Sequence, residues 1–398
     1  MSGRGAVAFA VALVAVMAAG LWLGGHPQTL PEPLREVFVA ETGALTSEAA
    51  EAIEGSYFRP VGEQELSNSS LQGMVRDLRR RHDDRFSEYF SPESLAAFNQ
   101  QIEGRYAGIG TSVIEVKKGL RVAQVFKRSP AEEAGIKPGD TIVSVEGKSI
   151  PGQSSNEATK KIKGPEGTEV TIGVRDGKSG KVRELTITRA EVTLPNVSSK
   201  VETVKETKLG YVSLLSFSEE AHAQLGRGVI KVEEEGAEGI VLDLRHNPGG
   251  LLDQAVLSAN VFLPEGEVVV TTKSRTQGDS VHKTPGDPIS RLPVVVLIDG
   301  GTASAAEILA AALADDADTP VVGTRSFGKG VFQEEQALSN GGALKLTVGE
   351  YFTPEGVNLA ESHGIHPDVK AKDDPATPAD EARQRALDVL ARRVSEAR

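Results

Sequence analysis

Apolar positions fall into three regimes along the chain. From Pro31 to Glu103 they are sparse and helically spaced: Leu71, Met74, Val75 and Leu78 recur at three and four residues. Ser91-Pro92-Glu93 reads as a helix cap with proline at the first helical position, and the mixed-sign run Arg79–Arg85 as a solvated turn. From Gly108 to Ala190, short β-branched runs alternate with two helical stretches. Strands are expected at Thr111–Val116, Leu120–Phe126 and Asp140–Val145, with helices at Ser129–Gly135 and Asn156–Lys163. Glu169–Arg175 and Arg183–Thr188 form a hairpin across Asp176-Gly177.

Beyond residue 191 the runs lengthen. Leu209–Phe217 predicts a strand and Glu219–Glu234 a helix, while Gly239–Arg245 is nearly continuously apolar, as a strand covered on both faces must be. His246-Asn247-Pro248-Gly249-Gly250 is a turn opening the helix Leu251–Phe262. Strands follow at Val268–Thr272, Pro293–Ile298, Pro320–Gly323 and Ala343–Phe352. This alternation predicts a layered α/β domain. A linker begins at Asp373, and a final alanine-rich helix sets Ala386, Val389, Leu390 and Val394 on one side, to pack on the body.

The first residues differ in kind. Ala6–Leu23 is an uncharged apolar run after Arg4. As a helix it would rise about 27 Å, close to the hydrocarbon thickness of a bilayer. We read it as an uncleaved membrane anchor. A cleaved signal peptide is the rival, since Ala18-Ala19-Gly20 offers small residues, but Leu21-Trp22-Leu23 extends the run past that point. Arg4 on the short side sets the remainder outside the cytoplasm.

Length and charge narrow the picture. The 398 residues suffice for two or three domains. A net charge of −12 with no basic face argues against a nucleic-acid partner. With no cysteine, disulfides, thiol nucleophiles and thiolate metal sites are excluded, and the compartment stays open.

The chemistry concentrates in Leu297–Gln333. Leu297-Ile298-Asp299 ends a buried strand, Gly300-Gly301-Thr302-Ala303 turns, and Ser304-Ala305-Ala306-Glu307 starts a helix. A serine at such an elbow exposes its hydroxyl beside helix N–H groups able to stabilise an oxyanion. It needs a base, and Lys329, between Gly328 and Gly330, becomes one if a dry pocket strips its proton. The plainer reading is that Ser304-x-x-Glu307 is a capping box and Lys329 a solvated turn residue. A nucleotide reading also competes, because Gly323-x-x-x-x-Gly328-Lys329 matches most of a phosphate loop. Gly330 then stands where its Mg²⁺-binding hydroxyl belongs. His363-x-x-His366 has no carboxylate cluster beside it, and a structural role fits it better than a metal.

The order of these blocks resembles the C-terminal processing peptidases, serine–lysine endopeptidases with an inserted PDZ domain. The likeness runs from Leu71 to Val369. It rests on Ser87-Glu88-Tyr89-Phe90-Ser91-Pro92, Tyr106-Ala107-Gly108-Ile109-Gly110, Ser129-Pro130-Ala131 through Gly135-Ile136-Lys137-Pro138-Gly139-Asp140, and Leu242–Gly250. The motifs Gly301–Glu307, Phe327-Gly328-Lys329-Gly330-x-x-Gln333, Tyr351-Phe352-Thr353-Pro354 and Gly364–Val369 complete it. The resemblance implies a mixed α/β spiral peptidase core with an inserted PDZ domain, and the chain's own patterns set an N-terminal membrane helix and a helical arm before it. The expected division is 1–30 anchor or signal, 31–103 helical region, 104–190 PDZ domain, 191–371 peptidase core and 372–398 linker and helix. It further implies Ser304 as nucleophile, Lys329 as general base, Gln333 orienting the lysine and Asp315 supporting the site. Gly250 and Ala305 supply oxyanion N–H groups, and Gly108, Ile109 and Gly110 receive a peptide end by strand addition. No cofactor or metal is implied. Expected partners are protein or peptide substrates with flexible C-termini, the membrane, a second copy of the chain and an activating adaptor.

Three departures stand out: His246 for asparagine, Thr302 for serine and Ala306 for serine. His246 raises a rival scheme in which it activates Ser304, oriented by Asp243. The competing function class is a catalytically inactive, membrane-tethered PDZ protein that only binds peptides.

Overall fold

The computed structural model describes residues 41–397, except 154, 194, 195, 318, 375, 376 and 378. The expected anchor Ala6–Leu23 lies outside the described residues. Among those described, no helix is long and apolar enough to cross a membrane. The chain divides at Ser91/Pro92 into two compact units.

In the first unit lie helices α1 (Glu41–Ser56) and α2 (Glu63–His82), then strand β1 (Glu88–Phe90). Arg79, Arg80, Arg81 and His82 belong to the last turn of α2, with Asp83 capping it in the left-handed region. The helix thus runs further than the mixed charges suggested. Cations favour that end because they meet the negative pole of the helix dipole, as Glu63 and Glu65 meet the positive one.

The second unit opens with α3 (Pro92–Glu103) and β2 (Arg105–Gly108). Strand β2 pairs antiparallel with β9 (Ala190–Thr193), so a two-stranded ribbon closes the neck of an inserted module. The module holds β3 (Thr111–Val116), β4 (Gly119–Val125), α4 (Pro130–Glu133), β5 (Thr141–Val145), β6 (Lys148–Ser149), α5 (Ser155–Ile162), β7 (Glu169–Arg175) and β8 (Val182–Thr188). Its antiparallel sheet has the order β3-β4-β5-β7-β8, with β6 on β5. Leu120, Val122, Ile142, Ile172 and Val174 fill its core. Strand β3 is an edge, and an edge offers backbone groups to an added strand.

The larger layer is a sheet of order β10-β11-β12-β15-β16-β19: β10 (Val197–Val204), β11 (Thr207–Leu214), β12 (Ile240–Asp243), β15 (Val294–Ile298), β16 (Val321–Gly323) and β19 (Val369–Lys370). Strand β10 is antiparallel to β11, and every other pairing is parallel. Strand β12 shows why Gly239–Arg245 reads as an unbroken apolar run. Ile240 and Leu242 enter the core beneath α6 (Ala221–Glu234), α7 (Leu252–Ala259) and α8 (Ala305–Ala317), while Val241 enters a second core on the other face. The C-terminal helix α9 (Glu381–Ala397) covers that second face with Ala386, Leu390 and Val394, as its apolar side foretold. In a separate sheet, β18 (Ala343–Phe352) pairs antiparallel with β13 (Val268–Ser274) and β17 (Val331–Ala337), and β13 with β14 (Gly278–Lys283).

One charged cluster ties the tail to the sheet. Arg245 contacts Asp243 at 3.0 Å, Asp373 at 3.1 Å and Asp380 at 2.8 Å, and it also bonds the Tyr211 hydroxyl. The surrounding carboxylates hold Arg245 charged against the cost of burial. Arg245→Ala would leave Asp243 buried without its cation. We expect a loss of about 3–5 kcal/mol in chemical denaturation, the range for breaking a buried pair from one side.

Candidate active site

Ser304 stands where β15 ends and α8 begins, and its φ of 56° lies in the left-handed region. A β-carbon there is strained, and a sharp strand-to-helix elbow stores such strain where a nucleophile must project. The residue is 5% exposed. The capping-box reading is half right. The Glu307 carboxylate does accept the Ser304 N–H at 2.8 Å. Tyr351 shares a cavity with the serine; burial pushes its ionisation far above the usual phenol value, and the Ser304 side chain pulls it the other way.

Glu307 does more than cap. It is fully buried, and its two oxygens also accept the Ser326 hydroxyl at 2.5 Å, the Gly328 N–H at 2.7 Å and the Lys329 N–H at 2.9 Å. One carboxylate therefore fastens the serine elbow to the loop carrying the lysine. The same bonds answer the nucleotide reading. The N–H groups that would cradle a phosphate already hold an internal anion.

The turn after β12 closes the site from another side. Asn247 is fully buried; its amide donates to the Leu214 carbonyl at 2.9 Å, and its own oxygen accepts the Gly249 N–H at 2.9 Å. The Asn247 carbonyl accepts the Ala303 N–H, so turn and elbow are joined directly. At Gly249 a β-carbon would lie 2.8 Å from Ser304 Cβ, and at Gly250, with φ 146°, it would lie 2.4 Å from the Phe217 carbonyl oxygen. Only glycine lets this backbone approach the serine so closely. No acceptor among the described residues takes the N–H of Gly250 or of Ala305. Thr302, one of the departures, is buried, and its hydroxyl donates to the Leu244 carbonyl at 2.8 Å.

Ser304, Lys329, Gln333, Gly250 and Tyr351 line one cavity of about 390 Å³. Lys329 is half-buried there, and its pKa is pushed down to about 8. Burial is the main cause and repulsion from Lys345 the second, with Glu307 pulling the other way. Gln333 follows a bulge in β17 and turns its amide nitrogen to the Thr347 hydroxyl at 3.4 Å, leaving its carbonyl as the end able to accept from an amine. Asp315 is not brought to this cavity. It is exposed near the end of α8, where it accepts the Glu355 N–H at 3.4 Å. We expect Tyr351→Phe to fold normally and to slow turnover about three- to tenfold, the worth of one polar hydroxyl in the cavity, read as kcat on a peptide substrate.

The histidine scheme fails on geometry. His246 is 83% exposed in its side chain and pairs through Nδ1 with Asp299 at 2.8 Å. Asp243, its supposed partner, is occupied by Arg245 and Tyr211. In the His363-x-x-His366 segment, His366 Nε2 meets the Ser362 carbonyl oxygen at 3.2 Å.

In the inserted module, Gly108, Ile109 and Gly110 line a cavity of about 280 Å³ with Phe126, Thr159 and Ile162. The Ile109 and Gly110 carbonyls accept from Ala131 at 2.7 Å and Phe126 at 3.0 Å. No acceptor among the described residues takes their N–H groups, which suits an anionic chain end.

A strained, buried elbow serine of this kind belongs to serine-type hydrolases. Comparison with known proteins narrows the class. Residues 208–371 match peptidase family S41, and residues 121–176 match the PDZ domain. The carboxy-terminal processing protease CtpA of Bacillus subtilis is 34% identical over 366 residues, 92% of this chain and 76% of that protein. A probable CtpA-like serine protease of Staphylococcus aureus is 35% identical over 320 residues, 80% of this chain and 62% of that one. Among solved structures, the photosystem II D1 C-terminal processing protease superposes with a TM-score of 0.51 at 28% identity, covering 89% of this chain and 97% of that one. The chain belongs to peptidase family S41, the C-terminal processing peptidases, and is a serine-type protease with a PDZ domain.

Sequence reasoning did not find the contributions of Tyr351 and Lys345 to the cavity, nor the second half of the Glu307 role. Tyr351 stood inside a quoted motif, and the alternation along Ala343–Phe352 could have set it on one face with Lys345. No signal in the sequence joins Glu307 to residues 326–329.

Proposed function

We propose that the protein is an endopeptidase in which Ser304 attacks the scissile carbonyl and neutral Lys329 accepts the hydroxyl proton. Lys329 then donates that proton to the leaving amine, and water releases the acyl-enzyme. Gln333 orients the amine, and the Gly250 and Ala305 N–H groups receive the oxyanion. The observation that carries this reading is the opening of Ser304 and of a lysine with depressed pKa onto one cavity. The module's edge strand and its 108–110 loop suit capture of an extended chain end, and the names of the relatives support C-terminal segments of proteins as substrates. The apolar run Ala6–Leu23 supports a membrane tether, with the catalytic region outside the cytoplasm and its substrates there. Binding would shift the PDZ domain and admit the chain to the cavity; pairing of two copies and an activating adaptor belong to the same proposal. The inactive-binder alternative is disfavoured, because a peptide-binding module needs no strained serine beside a desolvated lysine.

Two measurements test this. An unstructured protein with a free C-terminus should be cut, and amidating that terminus should raise KM; an unchanged KM removes the docking step. The kcat/KM profile should rise with pH through about 8 and then level, because the base works only when unprotonated and its folded pKa lies near 8. A profile already flat from pH 6 upward argues against Lys329 as base.

A further inference from the structure

A second lysine shares the catalytic cavity. Strands β17 and β18 turn alternate residues toward it: Gln333 and Glu335 from one, Lys345 and Tyr351 from the other. In the register Glu335 opposes Lys345 and Gln333 opposes Thr347, so these side chains share a face. Lys345 is half-buried, and its ammonium lies 4.6 Å from the centroid of the Phe98 ring on α3, itself part of the cavity wall. An aromatic face favours the charged amine and holds it in place.

We propose that Lys345 is a positioning residue for the reaction, a fixed positive charge in the catalytic cavity that keeps Lys329 in its neutral, basic form. The inference rests on Lys329 being the base. It follows from the general behaviour of two amines in one poorly solvated pocket: the better-stabilised one stays charged and drives the proton off its neighbour. The other groups facing Lys329 leave this balance intact. From α8, the Glu307 carboxylate favours the ammonium, but four donors share its charge. From β17, Glu335 is exposed, where solvent screens it. From β18 comes the Tyr351 phenol, kept neutral by burial. Among the described residues of the lining, those from α3 and from 216–218 and 248–251 bring no ionisable side chain. Burial and Lys345 act on Lys329 in the same direction.

The test compares Lys345→Met, Lys345→Gln and Lys345→Arg in the full chain. Two readouts serve: the pH profile of kcat/KM, and the pH dependence of Ser304 labelling by a fluorophosphonate probe, which needs no substrate docking. In the methionine and glutamine variants the rising limb should move up by about half to one pH unit, with the high-pH plateau largely kept; arginine should restore the wild-type limb. A limb that stays in place in the neutral variants, in an enzyme that Lys329→Ala inactivates, overturns the role of Lys345 alone. If Lys329→Ala keeps its activity, the reading of the base fails instead. A titration of ¹³C-labelled lysine in the wild type does not depend on the variants folding. Lys345 must remain protonated while Lys329 loses its proton, and the reverse order ends the proposal.

Discussion

Ser304→Ala and Lys329→Ala are each expected to yield a folded protein that cleaves an unstructured substrate at least about a thousandfold more slowly than the wild type. The two losses should be of similar size and should not add in the double variant, because each residue is useless to the chemistry without the other. Neither substitution threatens the fold. Alanine at 304 keeps the backbone N–H that Glu307 accepts, and Lys329 is tied to Glu307 through its main chain. Lys329→Ala should even stabilise the protein slightly near pH 7, since it removes a half-buried amine whose charged form burial disfavours. The measurement is gel-based cleavage with melting curves for all three variants. Equal cleavage by wild type and both single variants would refute the serine–lysine mechanism.

Glu307→Gln is the second large effect, and it acts through the scaffold. The carboxylate accepts four hydrogen bonds and is fully buried. An amide presents one oxygen and one NH₂ group, so at least two donors would lose their acceptor, and the NH₂ would point at N–H groups. With charge-assisted bonds worth about 1.5–3 kcal/mol each, we expect a loss of about 3–5 kcal/mol in stability. Activity should fall about a hundredfold, because the elbow and the lysine loop lose the member that fixes their separation. Glu307→Asp keeps the charge but shortens the reach, and should recover stability more than activity. A glutamine variant with wild-type turnover would show that the elbow and loop are held by other means.

How much of this was legible beforehand varies with the physics involved. Strands β12 and β15 and the tail helix were clear because burial on two faces, or on one helical side, writes itself into residue type. Strand β17 was not. Val-Phe-Gln-Glu-Glu-Gln-Ala lacks period-two alternation and most of it is exposed, so only pairing with β18 makes it a strand. Strand β10, an edge carrying Ser198, Ser199 and Lys200, was missed for the same reason. At the site, Ser304, Lys329 and the Gly249-Gly250 turn announced themselves through short motifs. Asp315 was expected on the strength of likeness alone, and it stands outside the cavity. His246 looked chemical in the sequence because histidine is versatile, and the fold commits it to Asp299 at the surface.

Local chemistry in the chain determined most element types, the glycine turn and the candidacy of one serine and one lysine, while the strands without alternation waited on their pairing partners. What it determined depends on residue character and near-neighbour spacing, which the sequence displays. Only the tertiary structure decided that Lys329 is desolvated, that Lys345 and Tyr351 share its cavity, and that Glu307 binds two distant loops at once. A lysine's pKa and a carboxylate's partners depend on what surrounds them in space, and residues far apart in the chain supply those surroundings.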